Sequence, residues 1–116
     1  MTTADRRWDH FLSLDGTTMI VDEDLGFWVK IAAHRVPGTR AVPHGVRYSL
    51  TLHHRSGKRL LGFDNAHHLT GDKVASDHWH RHAADPGRRY LFESPEKLLA
   101  DFWKQVDRVL KEHEDD

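Results

Sequence analysis

The stretch Val46-Arg47-Tyr48-Ser49-Leu50-Thr51-Leu52-His53 decides the fold. Apolar side chains alternate strictly with polar ones along it, and successive side chains of a strand point to opposite faces of a sheet. One face of this strand is therefore apolar and the other polar, which is typical of an antiparallel sheet covered on one side. The turn signal Arg55-Ser56-Gly57-Lys58 follows, and residues 59–64 are predicted to return as the partner strand.

Three further segments around this hairpin have strand character. Residues 17–21 are rich in β-branched side chains, and residues 27–36 carry an apolar side chain at alternate positions from 27 to 33. The opposite face of that second segment carries Lys30 and His34. After the turn at Pro86-Gly87, residues 88–92 are predicted to form a last short strand.

Ser94-Pro95-Glu96 predicts the start of a helix over residues 94–112. Serine is a favoured N-cap, proline suits the first helical position, and an acid in the first turn meets the positive end of the helix dipole. Apolar side chains then recur at helical spacing, so one stripe must pack on the sheet. We expect the acidic tail, residues 113–116, to fray, because it lies at the negative end of the dipole.

These elements predict a single α+β domain over residues 1–116. A mostly antiparallel sheet of about five strands occupies residues 17–92, with the long C-terminal helix packed on one face. Residues 1–16 hold a short apolar patch, including Trp8 and Phe11, that fits a helical turn or a first strand. The chain is long enough for one modest hydrophobic core.

The composition excludes several kinds of site. Because the chain has no cysteine, disulfides, thiolate metal sites and a cysteine nucleophile are excluded. It has no apolar run of membrane-spanning length and no N-terminal signal segment, so we expect a cytoplasmic location and no membrane partner. A formal net charge of −1 argues against non-specific coating of nucleic acid, but most arginines and histidines lie in residues 34–89, which is compatible with an RNA-facing surface.

The segment Ser76-Asp77-His78-Trp79-His80-Arg81-His82 is the main candidate for a functional site. If it is extended, the imidazoles of His78, His80 and His82 point to the same face. Imidazole exchanges protons near neutral pH, and the neutral ring is a common metal ligand. The alternative is a polar, solvated connection with no site.

Six short motifs follow one another in an order that matches a known family. They are Ala33-His34-Arg35-Val36-Pro37-Gly38, Val46-Arg47-Tyr48-Ser49-Leu50, Leu61-Gly62-Phe63-Asp64-Asn65, His80-Arg81-His82, Tyr90-Leu91-Phe92 and Leu98-Leu99-Ala100-Asp101-Phe102-Trp103. This order resembles the TumE-type toxin family of prokaryotic toxin–antitoxin modules over residues 17–110. The resemblance implies a small growth-inhibiting toxin, neutralised by an antitoxin with a helix-turn-helix domain.

The chain departs from the family pattern just before the histidines. The family has a Gly-Asp-His-Arg-His segment, whereas here Trp79 stands in place of the acid. Either Asp77 takes that acid's place, or the role is absent in this chain. Residues 67–76 also look longer than the corresponding family segment.

The first hypothesis for the activity is RNA cleavage without a metal, by a toxin that acts as an endoribonuclease. Attack of a ribose 2′-hydroxyl on the adjacent phosphate needs a base, an acid and a cation that stabilises the developing charge. His80 and His82 would share the proton transfers, and Asp64 would orient an imidazole. Arg81, or Arg47 from the polar strand face, would clamp the phosphate. The candidate substrate-binding residues are Arg47, Asn65, His78 and Tyr90. A structural alternative for Asp64-Asn65 is a turn held by side-chain to backbone hydrogen bonds.

Two other functions stay open. In a metal-dependent hydrolase, His78, His80 and His82 would bind Zn²⁺ or Mn²⁺, or His67 and His68 would do so together with Asp64. In a non-catalytic module, arginines and lysines of the basic middle would bind RNA, the ribosome or a protein, with Trp28 or Trp79 stacking on a base. An exposed edge strand would also allow a homodimer or pairing with the antitoxin.

Overall fold

The computed structural model describes residues 3–39, 42–65, 77–82, 85 and 87–114. Six strands form one antiparallel sheet in chain order: β1 (Thr17–Asp22), β2 (Phe27–Arg35), β3 (Val46–His53), β4 (Arg59–Asp64), β5 (Asp77–His80) and β6 (Arg88–Tyr90). A 3-10 turn (Thr3–Trp8) and helix α1 (Asp9–Ser13) precede the sheet, and helix α2 (Pro95–Glu114) follows it. The predicted α+β fold is confirmed.

The sheet has two unlike faces because its central strands alternate. Val29 and Ile31 of β2 lie opposite Leu52 and Leu50 of β3, and all four side chains are buried. The residues between them point to the other face. The hydrophobic core therefore lies on one side of the sheet, where both helices pack.

Helix α2 begins as the sequence predicts. The Ser94 hydroxyl oxygen accepts a hydrogen bond from the Lys97 N–H at 3.1 Å, which caps the first turn. Phe102 is fully buried and meets the ring of Phe63 edge-on at 5.8 Å. The helix runs two residues beyond the predicted end at 112, because the ring of His113 contacts Phe27 at 5.0 Å and keeps the last turn on the sheet.

The sheet has one strand more than the five that the sequence predicts, and the additional strand is β5, formed by residues 77–80 of the histidine-rich segment. Strand β5 pairs with β4 on one side and with β6 on the other, so it lies within the sheet rather than in a solvated connection. The N-terminal patch is helical, and Trp8 and Phe11 both belong to the core. The ring of Trp8 stacks on Phe92 at 5.4 Å, which ties this segment to the end of β6. Among the described residues, no helix is long and apolar enough to span a membrane.

Candidate functional site

The face of the sheet opposite the two helices, hereafter the open face, carries most of the polar side chains of the strands. Strand alternation and register place nine charged or histidine side chains on it: Lys30, His34, Arg47, His53, Arg59, Asp64, His78, His80 and Arg89. At the strand positions of this face that the structure describes, Asp64 is the one acid. The open face is therefore basic although the whole chain carries a net charge of −1.

One row of residues across the open face centres on Asp64. Ser49, Asp64, His78 and Arg89 lie opposite one another on four neighbouring strands. His80 lies two residues further along β5, and its Nε2 is 3.6 Å from Asp64 Oδ2. The structure thus brings together Asp64, His78 and His80, which are three of the predicted site residues.

His80 is held by the loop that follows β5. Its Nδ1 lies 3.0 Å from the main-chain carbonyl oxygen of Asp85. A carbonyl oxygen only accepts, so Nδ1 carries a proton and donates it to this bond. In the neutral ring Nε2 then carries the lone pair, and it lies 3.6 Å from Asp64 Oδ2. When Nε2 is also protonated, it pairs with the carboxylate.

Asp85, whose carbonyl holds His80, is itself fixed by two hydrogen bonds. The Asp85 carboxylate accepts the N–H groups of Arg81 and Gly87, each at 2.9 Å, and these bonds hold the pKa of Asp85 below its usual value. Gly87 has a φ of 100°, and a Cβ at this position would lie 2.4 Å from His80 Cε1. Only glycine fits here, both for the backbone and for the ring of His80. The sequence predicts a turn at Pro86-Gly87, but it gives no sign that Gly87 makes room for the ring of His80.

The other two histidine positions differ from each other. The ring of His78 lies on the same face as His80, with the ring centres 6.4 Å apart. His82 lies beyond the end of β5, in a bend, and is exposed. The strand alternation that aligns His78 with His80 therefore does not extend to His82.

Arg81 and Tyr90 face the helix layer rather than the open face. The Arg81 guanidinium pairs with the carboxylate of Glu112 on α2. The Tyr90 hydroxyl donates a hydrogen bond to Oδ2 of Asp101, also on α2, at 2.5 Å. Burial has the largest part in raising the pKa of Tyr90, and this hydrogen bond raises it further. The side chains of Arg81 and Tyr90 therefore do not lie with His80 on the open face. Arg47, in contrast, is exposed on that face.

Asn65 makes side-chain to backbone hydrogen bonds inside the protein. It is 2% exposed, its Oδ1 accepts the Tyr48 N–H at 3.0 Å, and its Nδ2 donates to the Val46 carbonyl oxygen at 2.8 Å. These bonds extend the pairing of β3 beyond the end of β4. Both ends of the amide are therefore occupied by main-chain groups of β3. These bonds are structural, but they join two strands and do not form the local turn expected at Asp64-Asn65.

Asp77 is buried on the helix side of β5, on the face opposite His78. Its carboxylate accepts a hydrogen bond from the Tyr48 hydroxyl at 2.6 Å and lies 3.2 Å from His44 Nε2. Burial and the neighbouring Asp77 raise the pKa of Tyr48 far above its usual value. Asp77 was the candidate for the acid that the family pattern has before its histidines. Because its side chain lies on the helix side of the sheet, Asp77 does not bring an acid to the open face.

Replacing Tyr48 by phenylalanine is expected to cost about 2 kcal/mol of unfolding free energy at pH 7, because Asp77 loses its hydroxyl donor while it stays buried. Since the folded-state pKa of Tyr48 is raised, the unfolded state releases the phenolic proton first. Through Tyr48 the native protein then loses up to about 1.4 kcal/mol per pH unit above about pH 10, and the variant lacks this contribution. The pKa of Tyr90 is also raised, and its contribution is common to both proteins. Urea unfolding between pH 7 and 11 measures the difference in unfolding free energy between the native protein and the variant. This difference should shrink above pH 10, and a constant difference would contradict the account.

For the metal-site hypothesis, the structure describes one of the two proposed sets of ligands, His78, His80 and His82. Within the described ranges, no group of three or more histidine, aspartate or glutamate side chains could hold a metal ion. His67 and His68, proposed as ligands together with Asp64, lie outside the described residues.

Comparison with known proteins gives one family. The model of the family described as Toxin TumE matches residues 5–110. No curated protein and no solved structure matches the chain significantly. The match covers nearly the whole domain and confirms the resemblance seen in the six motifs.

Proposed function

Because the chain belongs to the TumE toxin family, and so is the toxin of a toxin–antitoxin module, we propose that it inhibits growth by cleaving RNA on the open face of its sheet. The observation that carries this proposal is the geometry of His80. Its Nδ1 donates to a main-chain carbonyl oxygen, and its Nε2 lies 3.6 Å from the Asp64 carboxylate on a basic face.

The proposed chemistry needs no metal. Nε2 of His80 takes the proton of a ribose 2′-hydroxyl, the 2′-oxygen forms a bond to the adjacent phosphorus, and the bond from phosphorus to the 5′-oxygen breaks. His78, rather than His82, donates a proton to the departing 5′-oxygen, because it shares the face and lies next to His80. Asp64 stabilises the His80 imidazolium that forms. The products are a 2′,3′-cyclic phosphate and a 5′-hydroxyl.

The cations of the open face support phosphate binding. Arg89 lies directly opposite His78, and Arg47 is exposed on the neighbouring part of β3. An arginine can bind a phosphate through two parallel hydrogen bonds and stabilise the charge of the transition state. Arg47 and Arg89 thus replace Arg81 as the proposed phosphate contacts.

Incubating the purified protein with total RNA in EDTA distinguishes three functions. We expect cleavage in EDTA, with products that end in a cyclic phosphate. Cleavage only after Zn²⁺ or Mn²⁺ is restored would instead support the metal-dependent hydrolase. Binding of RNA without cleavage under either condition would support the non-catalytic module. The variant His10→Asn is a control that should behave like the native protein, since His10 is exposed on α1 and far from the open face in the fold.

The family implies an antitoxin partner. We propose that it is a helix-turn-helix protein and that it pairs with an edge of the sheet, since β1 and β6 are the edge strands. Met19 and Ile20 of β1 are 40% and 66% exposed, which gives that edge apolar contact area. A second copy of this chain is the alternative occupant, and sedimentation of the toxin alone and with its antitoxin separates the two.

A further inference from the structure

A cavity of about 420 Å³ lies on the open face beside the β1 edge, away from His80. It is lined by Thr18, Ile20, Glu23, Gly26, Trp28 and Arg55. The proposed cleavage chemistry uses none of these residues. The volume is in the range of small-molecule pockets and exceeds that of a nucleobase.

The aromatic wall of this cavity is fixed. The ring of Trp28 stacks on His53 with the centres 4.3 Å apart and the planes 14° from parallel. His53 is held at both nitrogens, by the Gly57 carbonyl oxygen at 3.2 Å and the Thr51 hydroxyl at 2.8 Å. Trp28 is therefore a rigid flat surface that loses little conformational entropy when a ring stacks against it.

The rim of the cavity carries a fixed cation and a carboxylate. The Arg55 guanidinium donates to the Asp24 carbonyl oxygen at 2.8 Å. Gly26 has a φ of 74°, and a Cβ there would lie 2.5 Å from Arg55 Nε, so this glycine makes room for the arginine. Glu23, an exposed acidic residue in the turn after β1, also lines the cavity.

We propose that this cavity binds one unstacked guanine base of single-stranded RNA, an inference that rests on the proposed function. Trp28 provides the stacking surface and Ile20 an apolar contact. The Watson–Crick edge of guanine presents two adjacent donors, N1–H and the N2 amino group, which match the two oxygens of a carboxylate such as Glu23. Adenine, cytosine and uracil each place an acceptor next to their donor, so they fit Glu23 less well. Arg55 contacts a flanking phosphate.

The position of the cavity fits one RNA strand that also reaches His80. Trp28 lies on β2 and His80 on β5, three strands away. The row of residues that contains His80 crosses β2 at Lys30, two residues from Trp28. Strand spacing and rise put Trp28 and His80 about 16 Å apart. A few nucleotides of single strand can span that distance, and Lys30 and Arg59 lie on the face between them. A base held in a duplex could not enter the cavity, because it stays paired and stacked.

The test measures binding separately from cleavage. Fluorescently labelled 2′-O-methyl RNA octamers lack the attacking hydroxyl, so they report affinity alone. Octamers with a single guanine, adenine, cytosine or uracil in an otherwise constant sequence are titrated with the full-length protein. We expect the guanine octamer to bind about tenfold tighter than the adenine octamer. Glu23→Gln should remove most of this preference, and Trp28→Ala should weaken all four octamers.

Matched controls keep the test decisive. Glu96→Gln changes an exposed carboxylate on α2 and should leave the guanine preference intact. Trp28→Phe keeps an aromatic ring and should retain most of the affinity. It replaces Trp28→Ala in the test if the alanine variant does not fold. Equal affinity for the four octamers, or a preference that Glu23→Gln leaves unchanged, would overturn the inference even if the toxin cleaves RNA. A guanine preference that depends on Glu23 would support it even if no RNA is cleaved.

Discussion

The variant His80→Asn is expected to lose growth arrest and to cleave RNA about 10²–10⁴-fold more slowly than the native toxin. Asparagine can still donate a hydrogen bond to the Asp85 carbonyl oxygen, which His80 Nδ1 does at 3.0 Å, but it has no nitrogen that takes up a proton. The loss should therefore fall on the chemistry and not on the fold. The measurement is single-turnover cleavage in EDTA, together with growth after induction.

Two controls accompany this variant. His10→Asn removes an exposed imidazole on α1 and should cleave RNA at the native rate. Gly87→Ala keeps His80 but places a methyl group 2.4 Å from its ring, so it should also cleave RNA slowly. If His80→Asn folds normally and still arrests growth at equal expression, His80 is not the catalytic base.

Asn65→Ala is expected to lower the free energy of unfolding by about 3 kcal/mol, because it leaves a buried N–H and a buried C=O without partners. The two groups are the Tyr48 N–H and the Val46 carbonyl, which the Asn65 side chain bonds at 3.0 and 2.8 Å. Asn65→Asp should cost at least as much, since its carboxylate cannot donate to that carbonyl and would be buried as a charge. Urea unfolding followed by circular dichroism measures both.

Gln105→Ala is the matched control for Asn65. Gln105 is also a carboxamide, but its Oε1 is buried without a partner among the described residues. Alanine favours the helix at that position, so the cost should stay below about 1 kcal/mol. A small effect of Asn65→Ala, combined with weaker RNA binding, would contradict the structural role and return Asn65 to the substrate contacts.

The alternation of residues 46–53 and the cap at Ser94-Pro95, together with the strand-like segments around them, predict the α+β fold. Both signals are local, since strand period and helix capping depend on neighbours in the sequence. The N-terminal segment could not be predicted in this way. Its helix is stabilised by distant contacts, such as that between Trp8 and Phe92.

The candidate site could be predicted only where strand parity decides it. His78 and His80 share a face because they are two residues apart in a strand, and the same rule puts Asp77 on the other face. The strand ends after His80 because the Arg81 N–H bonds to the Asp85 carboxylate instead of a neighbouring strand, and this breaks the pattern before His82. That bond comes from a loop residue whose conformation the sequence pattern does not specify.

Histidine ring signals in NMR spectra test the central claim, that the open face is the surface that acts on RNA. Protein with isotope-labelled histidine is titrated with uncleavable 2′-O-methyl RNA. The ring signals of His34, His78 and His80 on the open face should shift, and those of His10 and His113 in the helix layer should stay unchanged. Shifts of His10 and His113 with no change at His78 and His80 would contradict the account.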